Sequence, residues 1–286
     1  MKYADHAYRS ADDRLTLYAR VYGGEGQPLL LMHGLTRNSA DFEALADDLA
    51  GQYQLIVPDQ RGRGRSDYDP QPDHYNPAVY AADMFKLLDD LTIPKAGLIG
   101  TSMGGLIAML MAAAKPHRAS GLILNDIGPD VEQSGLDRIQ SYVGAGEPFA
   151  DWDAAAAHCK RINGDAFVGV DDSFWMEFAR HTCTALPDGR IQPAYDPAIS
   201  AGFSGDSANV APADLWPVWD LLAAIPVLSI RGAMSDILSA RTVAEMQRRH
   251  PQDFTAVEIP DRGHAPMLDE PEALDAIHAF LESLES

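Results

Sequence analysis

The chain is short of cysteine. It has two in 286 residues, Cys159 and Cys183, 24 positions apart and in no C-x-x-C pattern. That excludes a disulfide-dense secreted scaffold and a multi-cysteine zinc site, and it leaves a single disulfide open. Basic residues are also scarce, with 22 Lys plus Arg against 42 Asp plus Glu, a formal net charge of −20 and a pI near 4.6. So negative a chain repels phosphate backbones and anionic lipid surfaces. Nucleic acid and membranes are therefore poor default partners, although the charge by itself identifies no substrate. Long apolar runs are missing as well. The longest, Leu106 to Ala114, falls far short of the roughly 20 residues that span a bilayer. The opening MKYADHAYRSADDR lacks the apolar stretch of a secretory signal, so a soluble, cytoplasmic protein is expected. His6, His74, His117, His158, His181, His250 and His278 show no metal-binding spacing such as H-E-x-x-H, and they read as scattered surface or core residues. Oligomeric state leaves no trace in the sequence.

What is present is globular. At 46% hydrophobic and 22% charged, the composition excludes a disordered or fibrous chain. Leu15, Leu17, Ala19 and Val21 alternate with polar residues, as on a half-buried strand. Leu29–Met32 is a short apolar run of the kind found in buried strands, and Ser39 is expected to cap a helix that buries Phe42, Leu45 and Leu49. Further strands are expected over Gln54–Val57, Ala96–Gly100 and Ser120–Asn125. Helices are expected after Asn76-Pro77 and over Met103–Ala114. This β-α-β-α order implies an α/β fold, a mostly parallel sheet covered by helices on both faces, with the strands' C-terminal ends along one edge. The rhythm breaks at Pro129. From 130 to 212 the chain reads as helical fragments interrupted by Gly, Pro and Asp. It then resumes with strands over Pro226–Ile230 and Phe254–Ile259 and helices over Ser239–Arg249 and Pro271–Leu284. The expected organisation is a core formed by 1–129 and 213–286, with a helical cap inserted at 130–212.

Gly100-Thr101-Ser102-Met103-Gly104 lies between a strand and a helix. In that context G-x-S-x-G is a nucleophile elbow: a turn so tight that small residues must flank the serine, which then stands exposed at the sheet edge. A serine hydroxyl needs a base. His264, directly after the Phe254–Ile259 strand, reaches the same edge. The imidazole needs an orienting acid, and Asp236, after the Pro226–Ile230 strand, completes the chain order Ser…Asp…His of a hydrolase triad. Asp126 is its rival, because it ends the Leu122–Asp126 run and faces the same edge; otherwise it is a candidate to line the substrate pocket or to bond the loop backbone. For the developing oxyanion, one donor is the Met103 N–H and the second candidate is Leu35 N–H, in the loop after the Leu29–Met32 strand.

These residues belong to motifs that resemble the α/β-hydrolase superfamily: HGL at 33–35, DQRGRGRSD at 59–67, GTSMGG at 100–105, RGAMSD at 231–236 and DRGH at 261–264. The resemblance implies an eight-stranded sheet, a lid over the site and neither metal nor organic cofactor. It carries Ser102, Asp236 and His264 over as triad and Leu35 with Met103 as oxyanion hole, and it notes that some members place the acid at the position of Asp126. The implied activity is cleavage of small carboxylic esters or lactones through a seryl intermediate. A carbon–carbon bond hydrolase of ring-fission products, a perhydrolase and a non-catalytic binding protein on the same scaffold are the alternatives. The serine argues against the dehalogenase and epoxide hydrolase branches, which use aspartate.

Other residues carry two readings. Arg37, beside the oxyanion loop, either grips a substrate carboxylate or is a solvated surface arginine, and the surface reading is favoured. Arg190 is a second possible carboxylate anchor. Trp152, Phe167, Phe174, Trp175, Phe178 and Phe203 fall in the cap. Trp175 is a candidate pocket wall, although for any one of the six the cap's own small core is the better expectation. His33 reads as a structural support of the oxyanion loop. Arg61, Arg63 and Arg65 lie on a Gly-rich loop without the G-x-x-x-x-G-K-[ST] pattern of a phosphate cradle.

Overall fold

Strands buried on both faces form the middle of the molecule. In β3 (Pro28–Met32), Leu29 and Leu31 point into one hydrophobic cluster and Leu30 and Met32 into another. In β6 (Ala119–Asn125), Ile123 faces the first cluster and Leu122 and Leu124 the second. Such near-continuous apolar runs belong in a parallel sheet covered on both sides. The computed structural model describes residues 2–144, 146–203 and 214–285.

The other strands of this sheet are β1 (Ala4–Arg9), β2 (Thr16–Tyr22), β4 (Gln54–Asp59), β5 (Ala96–Thr101), β9 (Val227–Gly232) and β10 (Phe254–Ile259). The eight run in the order β1-β2-β4-β3-β5-β6-β9-β10. β1 pairs antiparallel with β2, and β2 with β4, while every later pairing is parallel. The fold is thus α/β, with a mostly parallel eight-stranded sheet between helical layers. β1 went unforeseen because its sequence, ADHAYR, buries only Tyr8; it exists by pairing along an edge with β2 from Ala4↔Val21 to Arg9↔Thr16.

Helices α1 (Glu43–Leu49) and α9 (Pro271–Leu284) cover one face. Helices α2 (Pro77–Asp90), α3 (Met103–Ala114) and α8 (Ala240–Arg249) cover the other. The Asn76 side chain accepts from Val79 N at 3.1 Å and starts α2, as its Asn-Pro pair implies. Ser39 does not cap α1. The Asn38 side chain accepts from Ala40 N and opens a 3-10 turn over Ser39–Phe42, so Ser39 already lies inside the turn, with its N–H donating to Asp59 Oδ1 at 2.7 Å.

Between β6 and β9 lie α4 (Gln133–Tyr142), α5 (Trp152–Asn163), α6 (Asp172–Thr182), a hairpin of β7 (Cys183–Ala185) and β8 (Ile191–Pro193), a 3-10 turn over Pro197–Phe203 and α7 (Trp216–Asp220). Pro212, the expected end of the insertion, lies outside the described residues, as does the side chain of Phe203. The insertion has a small core of its own around Ala155, Phe167, Trp175, Phe178 and Ala179. Backbone bonds fasten it over the sheet's C-terminal edge: Gly64 N to Ala194 O (2.8 Å), Asp196 N to Gly62 O (2.7 Å) and Gly263 N to Ala166 O (2.7 Å). Among the described residues no helix is long and apolar enough to cross a membrane.

Candidate active site

The turn from β5 to α3 places Ser102 at φ 53°, ψ −117°, in the left-handed region that side chains rarely adopt. The flanking glycines make this turn sterically feasible. A Cβ on Gly104 would sit 1.9 Å from the Met32 carbonyl oxygen, and one on Gly100 would sit 2.3 Å from the Gly104 backbone. Strand and helix therefore approach more closely than any other residue allows.

His264 follows β10, and its Nε2 lies 2.8 Å from Ser102 Oγ. Its Nδ1 lies 2.8 Å from Asp126 Oδ2. An ionised carboxylate only accepts, so the ring proton sits on Nδ1 and Nε2 is left to accept from the serine hydroxyl. Asp126 is fully buried. Gly232 N–H donates to its Oδ1 at 2.9 Å and the Ser235 hydroxyl donates to its Oδ2 at 2.6 Å. Ser235 is held in turn, its oxygen accepting from Ile237 N at 3.2 Å and Leu238 N at 3.0 Å. Asn125, next in the chain to Asp126, ties two of these loops together: its Nδ2 donates to Thr101 Oγ1 at 3.1 Å and to Pro266 O at 2.8 Å.

Asp236, the expected partner of His264, is elsewhere. Its carboxylate turns toward α4, where Arg138 donates to both oxygens at 2.5 and 2.8 Å. Burial opposes ionisation there, but the Arg138 hydrogen bonds win and hold the Asp236 carboxyl below the usual range. The physical reason is local: Ser235 turns inward onto Asp126 and its neighbour Asp236 turns outward. Of the two acids weighed from the sequence, the structure brings Asp126 to the histidine and Asp236 to the insertion.

Leu35 and Met103, the two expected oxyanion donors, flank the nucleophile from the loop after β3 and from the start of α3. Gly34 and Leu35 line the cavity beside Ser102. Met103 is the first residue of α3, so its N–H has no acceptor within the helix. Arg63, read from the sequence only as part of a Gly-rich loop, supports both, through contacts with residues distant in the chain. Fully buried, it donates from Nε to Leu35 O at 2.9 Å and from Nη1 to Tyr80 OH at 2.8 Å, and its Nη2 is 3.6 Å from Met103 Sδ. Ser235 was missed for a similar reason: a small polar residue in a loop carries no pattern. His33 is fully buried and braces the same loop; Nε2 accepts from Gln60 N at 3.0 Å and Nδ1 lies 2.7 Å from Gly34 O. Burial pushes its pKa down to about 3, so it stays neutral and supports the loop without carrying protons.

A cavity of about 130 Å³ opens onto Ser102 and His264. Its far wall comes from the insertion, with Ile139, Phe149, Ile162, Phe167 and Phe178 among the lining side chains. Trp175, a candidate wall residue, is 3% exposed inside the insertion's own core and does not line the cavity. Arg37 is no surface arginine. Its guanidinium lies 3.9 Å from the Phe178 ring centroid and pairs with Asp41, whose oxygens lie 2.7 Å from Nε. Arg190 stands exposed on the β7–β8 hairpin, paired with Asp188 and away from the cavity lining. Arg61 is a buried structural group, bonded to both oxygens of Asp83 and to Asp69. Asp12, Asp69 and His74 cluster closely enough to hold a cation, but Arg14 and Arg61 already bind Asp69, at 3.0 and 2.7 Å.

The arrangement can activate a serine hydroxyl at the mouth of a mostly apolar cavity, and comparisons with known proteins identify the family. The alpha/beta hydrolase fold family matches residues 27–271. A 3-hydroxybutyrate-oligomer hydrolase from Cupriavidus necator is 34% identical over 265 residues, 89% of this chain and 90% of that protein. A 2-(acetamidomethylene)succinate hydrolase from Mesorhizobium japonicum is 31% identical over 276 residues, 94% of this chain and 93% of that protein. A crystal structure of an alpha/beta hydrolase from Novosphingobium aromaticivorans superposes with a TM-score of 0.92 at 42% identity, covering 98% of each chain. The protein described here belongs to the α/β-hydrolase fold family and is a hydrolase of that family.

Proposed function

We propose that the protein hydrolyses small carboxylic esters through an acyl-enzyme on Ser102, with His264 as general base and acid, Asp126 as the acid of the triad and the insertion as a cap over the substrate. One observation carries the reading: the unbroken chain Ser102 Oγ–His264 Nε2–Asp126 Oδ2, with both links at 2.8 Å, opening onto a cavity. His264 takes the Ser102 proton as Oγ attacks the ester carbonyl. The amides of Leu35 and Met103 bind the resulting oxyanion, and a single donor of this kind contributes about 3 kcal/mol. The imidazolium, stabilised by Asp126, gives its proton to the leaving alcohol. Water then enters, loses a proton to His264 and releases the acid from Ser102.

Two further observations favour an ester over a doubly charged or dienone acid substrate. The cavity wall is mostly apolar, and Arg37, its one lining arginine among the described residues, is already paired with Asp41. The kinship with a 3-hydroxybutyrate-oligomer hydrolase points the same way, since hydroxy acid oligomers are joined by ester bonds. The test is labelling with a fluorophosphonate probe, beside turnover of p-nitrophenyl butyrate and of the linear 3-hydroxybutyrate dimer. Wild type labels and turns over; Ser102→Ala does neither. Labelling that persists in Ser102→Ala, or a folded wild type that neither labels nor hydrolyses any ester, overturns the reading.

A further inference from the structure

The two cysteines of the chain meet in the cavity wall. Cys159 lies on α5 and Cys183 is the first residue beyond α6, so the packing of α5 on α6 closes the 24 positions between them. Both are free thiols, 4% and 9% exposed, and both line the cavity above Ser102. Access to them therefore runs through the cavity. Thr182 Oγ1 sits 3.8 Å from the Cys159 sulfur and 3.9 Å from that of Cys183, so one hydroxyl touches both thiols. The Thr182 hydroxyl gives its proton to Phe178 O at 2.8 Å, so toward the sulfurs it can only accept. The ester chemistry uses none of these groups.

We propose that Cys159 and Cys183 form an oxidisable dithiol in the cavity wall, a modification site where a hydroperoxide converts the pair to an intramolecular disulfide and so closes the cavity to substrate. The Cys183 thiol beside it holds Cys159 below the usual thiol range, while Cys183, next to that sulfur and buried, is pushed up, so Cys159 is the sulfur that ionises first. The Cys159 thiolate attacks one peroxide oxygen, the O–O bond breaks, and the departing alkoxide or hydroxide takes up a proton. Cys159 is then a sulfenic acid. The Cys183 sulfur displaces its oxygen, the S–O bond breaks, and water leaves with the Cys183 proton. The net change is two thiols and one hydroperoxide to a disulfide, an alcohol or water, and one further water. The sulfurs are drawn to about 2 Å apart. That pulls α5 toward β7 and repacks the wall that carries Ile162 and Phe178. The thiol chemistry stands by itself; the closure of the cavity rests on the hydrolase reading.

The native protein is treated with hydrogen peroxide, and its intact mass and tryptic peptides are measured beside its ester turnover. The expected result is the loss of two hydrogens, a cross-linked peptide pair containing Cys159 and Cys183, and a monomeric species on a non-reducing gel. Turnover falls at least about tenfold and dithiothreitol restores it. Cys159→Ser and Cys183→Ser each abolish the loss of two hydrogens and the cross-linked peptide, and Cys183→Ser instead gains oxygen on Cys159. Unchanged mass, or oxygen added to one sulfur without a cross-link, overturns the proposal; a cross-link that leaves turnover unaltered overturns the closure. A protein that forms the cross-link yet never hydrolyses an ester refutes the function above and leaves the dithiol standing.

Discussion

Asp126→Asn separates the two candidate acids. Three donors converge on residue 126: Gly232 N–H on Oδ1, and the Ser235 hydroxyl and His264 Nδ1–H on Oδ2. A carboxylate accepts all three, whereas an amide has one acceptor oxygen. If the Asn oxygen faces Gly232, the amide NH2 confronts Ser235 and His264. The imidazole then keeps its proton on Nε2 and cannot accept from Ser102. If the oxygen faces His264, the NH2 meets the Gly232 N–H in a fully buried site, at a cost of about 1–3 kcal/mol. Either way the productive tautomer is disfavoured. Loss of the orienting carboxylate in a serine triad lowers kcat about 10⁴-fold, roughly 5.5 kcal/mol of transition-state stabilisation. Asp236→Asn breaks only the pair with Arg138, in which the two side chains are 33% and 29% exposed. It should cost at most about 1 kcal/mol of stability and leave kcat within about threefold. Steady-state kinetics on p-nitrophenyl butyrate, with thermal melts to confirm folding, decides between them. An Asp236→Asn variant as impaired as Asp126→Asn, or a folded Asp126→Asn variant near wild type, refutes the assignment.

Three further outcomes are expected. Ser235→Ala removes a charge-assisted bond to Asp126, so kcat should fall about tenfold with KM unchanged, and Ser235→Thr should recover part of it; a rise in KM alone would count against this positioning role. Gly104→Ala drives a Cβ to 1.9 Å from the Met32 carbonyl in the middle of the sheet, so folded protein should be lost or its Tm lowered by more than about 10 °C, measured by circular dichroism. His33 has a folded pKa of about 3, against about 6.5 unfolded, so the unfolded chain binds the extra proton. Its contribution is complete above about pH 6.5 and declines as pH falls toward 3, amounting to about 2 kcal/mol lost by pH 5. Urea unfolding at pH 7, 6 and 5 should show a shallower decline for His33→Asn than for wild type, and equal slopes would sink the argument.

Much of the fold was legible because its strands are buried on both faces. Runs such as Leu29–Met32 and the 3.6-residue spacing in α9 leave little choice of structure. β1 was not legible, since an edge strand that buries one tyrosine has no pattern to read. The β7–β8 hairpin is three residues to a strand and depends on tertiary pairing, including Phe149 N to Ile191 O at 2.7 Å. Ser102 and His264 were readable because an elbow and a post-strand loop are local geometry. Arg37 was misjudged because its environment is made by Phe178 from the insertion and Asp41. Contacts that far apart in sequence have no local signature.

The acid shows best where local reading ends. β6 and β9 are neighbours in the sheet, with Asn125 paired to Ile230, and Asp126 N donates to Ile230 O at 2.7 Å. The loops after these strands therefore leave the same edge side by side, and a carboxylate from either one can be directed at a histidine arriving from β10. Strand order and motif spacing cannot choose between them. The choice is made by the next residues outward: Gly232 N–H and Ser235 Oγ, which hold Asp126 in place, and Arg138 on the first helix of the insertion, which holds Asp236 away. Removing Arg138 from the wild type should therefore leave Asp126 on His264, because its own donors remain. Removing Arg138 in the Asp126→Asn background frees the Asp236 carboxylate, and partial recovery of kcat there would show that Arg138 is what keeps Asp236 from the histidine. No recovery would place the preference entirely in the backbone of the two loops.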